Sequence, residues 1–323
     1  MSEANAKRAE IFRFWLMRVI WALCGVTLIG VLVGAGLFLR ISKLSGWGNN
    51  GENNGQTRVY SKEQIEKFIS SVLIVVQNKP LGENSAYADM LFIASFNAFE
   101  QSLSIVAFAP ETIVDVDGYG QILLGEAYTY GGPNLLLETI NNNFGLTLSE
   151  YACTDTYSLA AMIDLLGGIR VELSQDEANY INKALNNNLS AGSATLSGTQ
   201  SMVHALDNIS GQVPMGSPKR SLNLVRSAIS NMRKTATKEA MIPLLSLVFS
   251  KINSNLNIAT LRDWGYEILK AEEIEYRSII LPHEDIWKTV DAKSKGITTD
   301  IFRSGEMLRQ TLYGIQGAEP TLG

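Results

Sequence analysis

Cysteine and histidine are nearly missing: the 323 residues hold two of each. Cys24 falls in a long apolar run and Cys153 lies far along the chain, so no internal disulfide is expected and no zinc-ligand pattern forms. His204 and His283 have no partner at a spacing that marks a catalytic arrangement, and read as unrelated packing or surface residues. Charge is scarce as well. Charged residues make up 18% of the chain against 46% hydrophobic, which excludes disorder for most of it. The net charge of −5 argues against a general nucleic-acid binder, which leans on a basic surface. There is no internal repeat. The run DVDGYG from Asp115 opens like a calcium loop and is read as a plain turn.

What is present begins with a membrane signal. Lys7, Arg8, Arg13 and Arg18 precede Val19 to Leu39, a stretch without a charged residue. About 20 apolar residues span the hydrocarbon of a bilayer. Trp15 and Trp21 suit its entry interface, and the basic flank stays in the cytoplasm. The run is longer than the apolar part of a cleaved signal peptide, so a retained single-pass anchor is expected. Residues 1–18 are then a cytoplasmic N-terminus and 19–39 the transmembrane helix. The Gly- and Asn-rich 40–59 reads as a linker, 60–315 as one extracytoplasmic domain and 316–323 as a tail.

Within that domain, Ser61 and Gln64 form a capping box before a short helix. Ser71 to Val76, Asp89 to Ser95 and Ser102 to Ala107 are continuous apolar runs, expected as buried strands, the last two as a hairpin. Tyr128 to Pro133 reads as a turn opening a helix that carries Leu135, Leu136, Ile140 and Phe144 and ends at Gly145. A strand at Glu150 to Cys153, a helix at Tyr157 to Leu166 and a strand from Val171 follow. Helices are expected over Ser174 to Asn188, Gly198 to Leu206, Lys219 to Lys234, Glu239 to Asn253, Ile258 to Leu269 and Ile301 to Tyr313. Ala191 to Ser197 reads as a loop, and Tyr276 to Leu281 as a strand. The fold class is α/β (α+β), a mixed central sheet flanked by helices.

The tyrosine–glycine–glycine–proline turn, the "FGL" bend at Phe144 and the helix ending in "LGGI" at Ile169 resemble the LytR-CpsA-Psr family, over roughly Val72 to Tyr313. The resemblance implies a membrane-anchored envelope protein that moves a glycopolymer from a polyprenyl-pyrophosphate carrier onto peptidoglycan, with Mg²⁺. It implies that Asp89, matching the aspartate at the start of the family's second strand, holds the metal. Otherwise Asp89 is a strand-start carboxylate bonded to backbone. It implies that Arg220, the surviving arginine of a Gly-Arg-x-x-Arg-Gln-Gln signature, acts on phosphate, with Lys79, Lys219 and Arg226 as further phosphate contacts. Otherwise Arg220 is a solvated helix charge. The chain departs from the pattern at three arginine positions, now Pro110, Leu206 and Ser217. A pyrophosphate needs several cations, and arginine's fork is suited to it. The alternative is therefore an inactive member that binds lipid carrier or wall glycan, or scaffolds envelope assembly.

Overall fold

The computed structural model describes residues 69–97, 100, 102–165, 167–206, 215–235, 251–256, 275–290 and 296–313. The expected anchor, linker, Ser61 helix and tail lie outside these residues. So do the helix at 258–269 and most of the one at 239–253. Among the described residues no helix is long and apolar enough to cross a membrane.

Three long apolar strands form the centre: β1 (Ile69–Gln77), β2 (Ala88–Asn97) and β3 (Ser102–Phe108). They pair antiparallel in sequence, and the expected β2–β3 hairpin closes at Asn97↔Ser102. Their near-continuous hydrophobicity follows from burial on both faces. A mixed six-stranded sheet grows outward from them. β6 (Glu150–Asp155) runs parallel to β1, β10 (Glu275–Leu281) runs parallel to β3, and β9 (Asn253–Ser254) pairs antiparallel with β6. The order is β10–β3–β2–β1–β6–β9. Asn253, expected to end a helix, is thus in an edge strand.

Alternation within the strands feeds two cores. Val72, Ile74, Val76, Met90, Phe92 and Ile105 meet α2 (Thr156–Leu165), α4 (Gly198–Leu206) and α5 (Gly216–Thr235). Leu73, Val75, Leu91, Ile93 and Phe108 meet α1 (Leu124–Phe144) and α6 (Ile301–Tyr313). Phe108 packs tilted against Phe144, with centroids 5.4 Å apart.

One expectation about local structure is extended and one is corrected. The Tyr128 to Pro133 segment does open a helical length at Pro133, but another length precedes it. α1 already begins at Leu124, and Gly131 and Gly132 break it before it resumes at Pro133. Gly132 sits at φ 62°, where a side chain is strained, and Pro133 fits because the break has already removed the hydrogen bond it cannot donate. Ala191 to Ser197 is not a loop. Gly192–Leu196 is β8, antiparallel to β7 (Ile169–Leu173). Its alternation of small and polar residues was too weak to mark a strand without its partner.

DVDGYG is a turn as read, closing the hairpin of β4 (Ile113–Val116) and β5 (Gly120–Leu123). Glu126 stands where a calcium loop would carry its last acid. There its carboxylate accepts the Leu123 N–H at 3.1 Å, at the start of α1. The helix over Gln175–Leu185, α3, starts at the expected Ser174 cap, with Glu177 completing a capping box. A small hairpin of β11 (Trp287–Thr289) and β12 (Ile297–Thr299) precedes α6.

Candidate functional site

One end of the sheet collects polar groups that the apolar strands deliver there. β1 ends in Gln77, buried, whose amide donates to the carbonyls of Lys79 (2.7 Å) and Pro80 (3.0 Å). Its side-chain oxygen accepts from the Tyr128 hydroxyl at 2.6 Å. Asp155, buried at the end of β6 opposite Gln77, accepts from Leu81 N at 3.1 Å and caps α2 through Ser158 N at 2.7 Å. Asn78 and Tyr87 close the loop, with Asn78 N donating to Tyr87 O and Tyr87 N to the Asn78 side chain, each at 3.0 Å. The β1–β2 loop is therefore fixed at both ends. Lys79 extends along it and donates to Asn84 O at 3.1 Å.

Tyr87 leads from this loop into β2. Its ring lies against Gly125, where an added Cβ would come within 2.4 Å of it. Its hydroxyl donates to Pro110 O at 3.2 Å, and the same carbonyl accepts Gly125 N at 2.9 Å. Burial, then the charges of Glu111, Glu126 and Asp89, raise the phenol's pKa and keep it protonated. Asp89 follows, half-buried. Burial first, then the Glu111 charge, push its carboxyl up to about 6. Three carboxylates thus lie near one phenol at this end of the sheet. Residues 80–169 contain no Lys, Arg or His and eleven Asp and Glu.

The expected cations are spread more widely. Arg220 is buried in α5, and its Nε donates to His204 O at 2.5 Å, at the C-terminal end of α4. Ser217 donates to the next carbonyl, Ala205 O, at 2.8 Å. Arg220 thus acts as a side-chain cap on orphan helix carbonyls, not as a solvated charge. Lys219 is exposed beside it. α5 lies on the face opposite α1, whereas Asp89, at a bulge in the β1–β2 pairing, lies with Glu126 of α1 near Tyr87. Arg226 hydrogen-bonds the Ser278 hydroxyl on β10. Ser278 is in register with Ile105 and Ala94, five residues from Asp89 along β2, about 17 Å at the usual rise. Of the expected site residues, Lys79 and Asp89 share the sheet end, and Arg226 is remote from it.

The two histidines are unrelated to each other, as read, but each faces a carboxylate. His204 Nε2 lies 3.2 Å from Glu177, and His283 Nδ1 lies 3.1 Å from Asp285. Burial, partly offset by Glu177, lowers the His204 pKa and leaves it neutral at physiological pH. Sequence reasoning named none of Gln77, Tyr87, Tyr128 and Asp155 as a site residue, and read Tyr128 only as part of a turn. Only the last carried a signal, an Asp before Thr-x-Ser at a helix start.

The profile of the LytR_cpsA_psr family matches residues 49–301. The chain belongs to that family. Regulatory protein MsrR of Staphylococcus aureus is 21% identical over 233 residues, 72% of this chain and 70% of MsrR. The polyisoprenyl-teichoic acid–peptidoglycan teichoic acid transferase TagU of Enterococcus faecalis is 29% identical over 98 residues, 29% of this chain and 32% of TagU. The structure of YwtF (TagT), a family protein with bound octaprenyl pyrophosphate lipid, superposes with TM-score 0.58 at 15% identity, covering 80% of this chain and 95% of that one. The mixed sheet between two helical layers is therefore the LytR_cpsA_psr fold.

Proposed function

We propose that this protein is anchored in the cell membrane by Val19 to Leu39 and uses its extracytoplasmic domain to take a polyprenyl-pyrophosphate-linked glycopolymer and pass it to peptidoglycan. The supporting observation is the Asp89 carboxyl, half-buried beside Glu111 and raised to about 6. Two carboxylates crowded at the mouth of a fixed loop are stabilised by a divalent cation, and Mg²⁺ is held by one or two carboxylates with phosphate and water completing its shell. In this reading Asp89 supplies a carboxylate contact, and phosphate and water supply the others. When bound, Mg²⁺ offsets phosphate charge at the reacting pyrophosphate.

In the reaction the acceptor hydroxyl attacks the glycan-bearing phosphorus. The pyrophosphate P–O bond breaks, polyprenyl phosphate leaves with the electron pair, and the hydroxyl proton passes to water or a carboxylate. Lys79, at the sheet end, is the first phosphate contact. Lys219, Arg220 and Arg226, on α5 across the sheet, are not part of this contact. Full-length protein in detergent, given a polyprenyl-pyrophosphate oligosaccharide, Mg²⁺ and a peptidoglycan fragment, is expected to release polyprenyl phosphate. Asp89→Ala should slow release by about 100-fold. Equal release by the variant, or none by the wild type, defeats the proposal.

A second reading, a carrier binder without transfer, draws on the engagement of Arg220 by His204 O and on Pro110 standing at an arginine position. It predicts tight carrier binding, no release, and gain of release in Pro110→Arg/Ser217→Arg.

A further inference from the structure

The β4–β5 turn and the helix beside it leave two large aromatic rings in water. Tyr119 is 49% exposed and Tyr130, just before the break in α1, is 51% exposed. The rings stack with centroids 4.6 Å apart and planes 20° from parallel. As a clip holding the hairpin to the helix, such a stack would be best buried. Here half of each side chain remains uncovered.

Three features say what could cover it. Among the described residues the ground around the rings is open, because an added Cβ at Gly118, Gly120 or Gly132 would meet nothing within 4 Å. The same hairpin exposes the carboxylates of Asp115 and Asp117, which accept hydrogen bonds from hydroxyl groups. The exposed Asp115 and Asp117 disfavour a polyanion here and admit an uncharged polyol. A flat, open aromatic face matches the C–H face of a pyranose ring, while flanking carboxylates bind its hydroxyls.

Position matters too. Tyr130 follows Tyr128, bonded to Gln77, and Thr129, whose hydroxyl donates to Ala86 O at 2.9 Å, three residues before Asp89. A sugar seated on the stack lies on the helical turn that contacts the loop leading into Asp89.

We propose that the Tyr119–Tyr130 stack is a platform for an uncharged N-acetylhexosamine glycan. Resting on the function proposed above, it seats the acceptor strand and not the anionic donor polymer.

The test is calorimetric titration of the full-length protein in detergent with the tetramer of N-acetylglucosamine. Saturable binding is expected, weakened about tenfold by Tyr119→Ala or Tyr130→Ala and within about twofold of wild type in Tyr130→Phe, which keeps the ring. Thermal melts of the alanine variants show that they fold, and the phenylalanine variant carries the test if they do not. No binding by wild type, undiminished binding in Tyr119→Ala/Tyr130→Ala, or stack-dependent binding of poly(glycerol phosphate) or oligolysine in place of the sugar overturns the platform. Polyprenyl-pyrophosphate binding with Mg²⁺, measured on the same samples, separates the two ideas. Carrier binding unaffected by the tyrosine variants supports both. Tetramer binding without carrier binding leaves the platform as a glycan site and ends the transfer reading.

Discussion

At the scale of single residues, Asp89 carries the sharpest consequence. Its carboxyl titrates near 6 in the folded protein against 3.8 for an ordinary aspartate. The folded state therefore holds this proton more tightly than the unfolded chain does. The stability so gained is complete below pH 4 and is lost as pH rises through 6. The difference between 3.8 and about 6 corresponds to ~3 kcal/mol, reduced to about 1–2 kcal/mol by the side chain's partial contact with solvent. Asp89→Asn should thus raise stability by that amount at pH 7.5 and leave it unchanged at pH 4, measured by urea denaturation. A destabilised variant at pH 7.5 would show that the charge is favourably paired. A residue that lowers stability where it stands fits a site kept for binding. The sequence showed that an aspartate begins β2, but not that Glu111 would be folded against it. Nothing in the helical pattern of Lys219 to Lys234 revealed that Arg220 would be taken by the carbonyl of His204.

At the scale of elements, glycines decide where helices can lie. Gly198 opens α4 so close to α2 that an added Cβ would stand 1.9 Å from Ala160 O. Backbone cannot yield as a flexible side chain can, so Gly198→Ala should destabilise by about 1–3 kcal/mol or more. Gly132→Ala meets no atom, and its smaller loss, about 1 kcal/mol, comes only from φ 62°. Thermal melts of the two variants distinguish crowding from backbone strain, and equal losses would contradict the assignment. At the far end of α1, Gly145 supplies a left-handed cap and Arg309 of α6 donates to Phe144 O at 2.7 Å. The cap was legible in the sequence because Gly145 follows a periodic apolar run. Its cross-chain support was not, since 165 residues separate the partners.

At the scale of the whole molecule, cations stand on both faces of the sheet. The cation-free 80–169 stretch builds β2, β3, the β4–β5 hairpin, α1, β6 and α2, while Lys219 and Arg226 are exposed on α5 and Arg303 on α6, which packs with α1. The proposed anchor would set this domain beside a bilayer. If Val19 to Leu39 is retained as a span, the intact protein should stay with membranes after alkaline carbonate extraction, and a protein starting at residue 60 should be released. Release of the intact protein would remove the anchor. By itself the sequence determined the fold class, the central strands and most of the helices, though not β8, β9, the small hairpins or the first length of α1. Apolar runs long enough to be buried on both faces make central strands wherever they are placed, and glycine and serine punctuation ends helices locally. The tertiary structure alone decided the site. It chose which carboxylates would crowd Asp89, which arginine would be spent on a helix end, and where two tyrosines would stack in water. Those outcomes depend on distances between segments far apart in the chain, which no local pattern encodes.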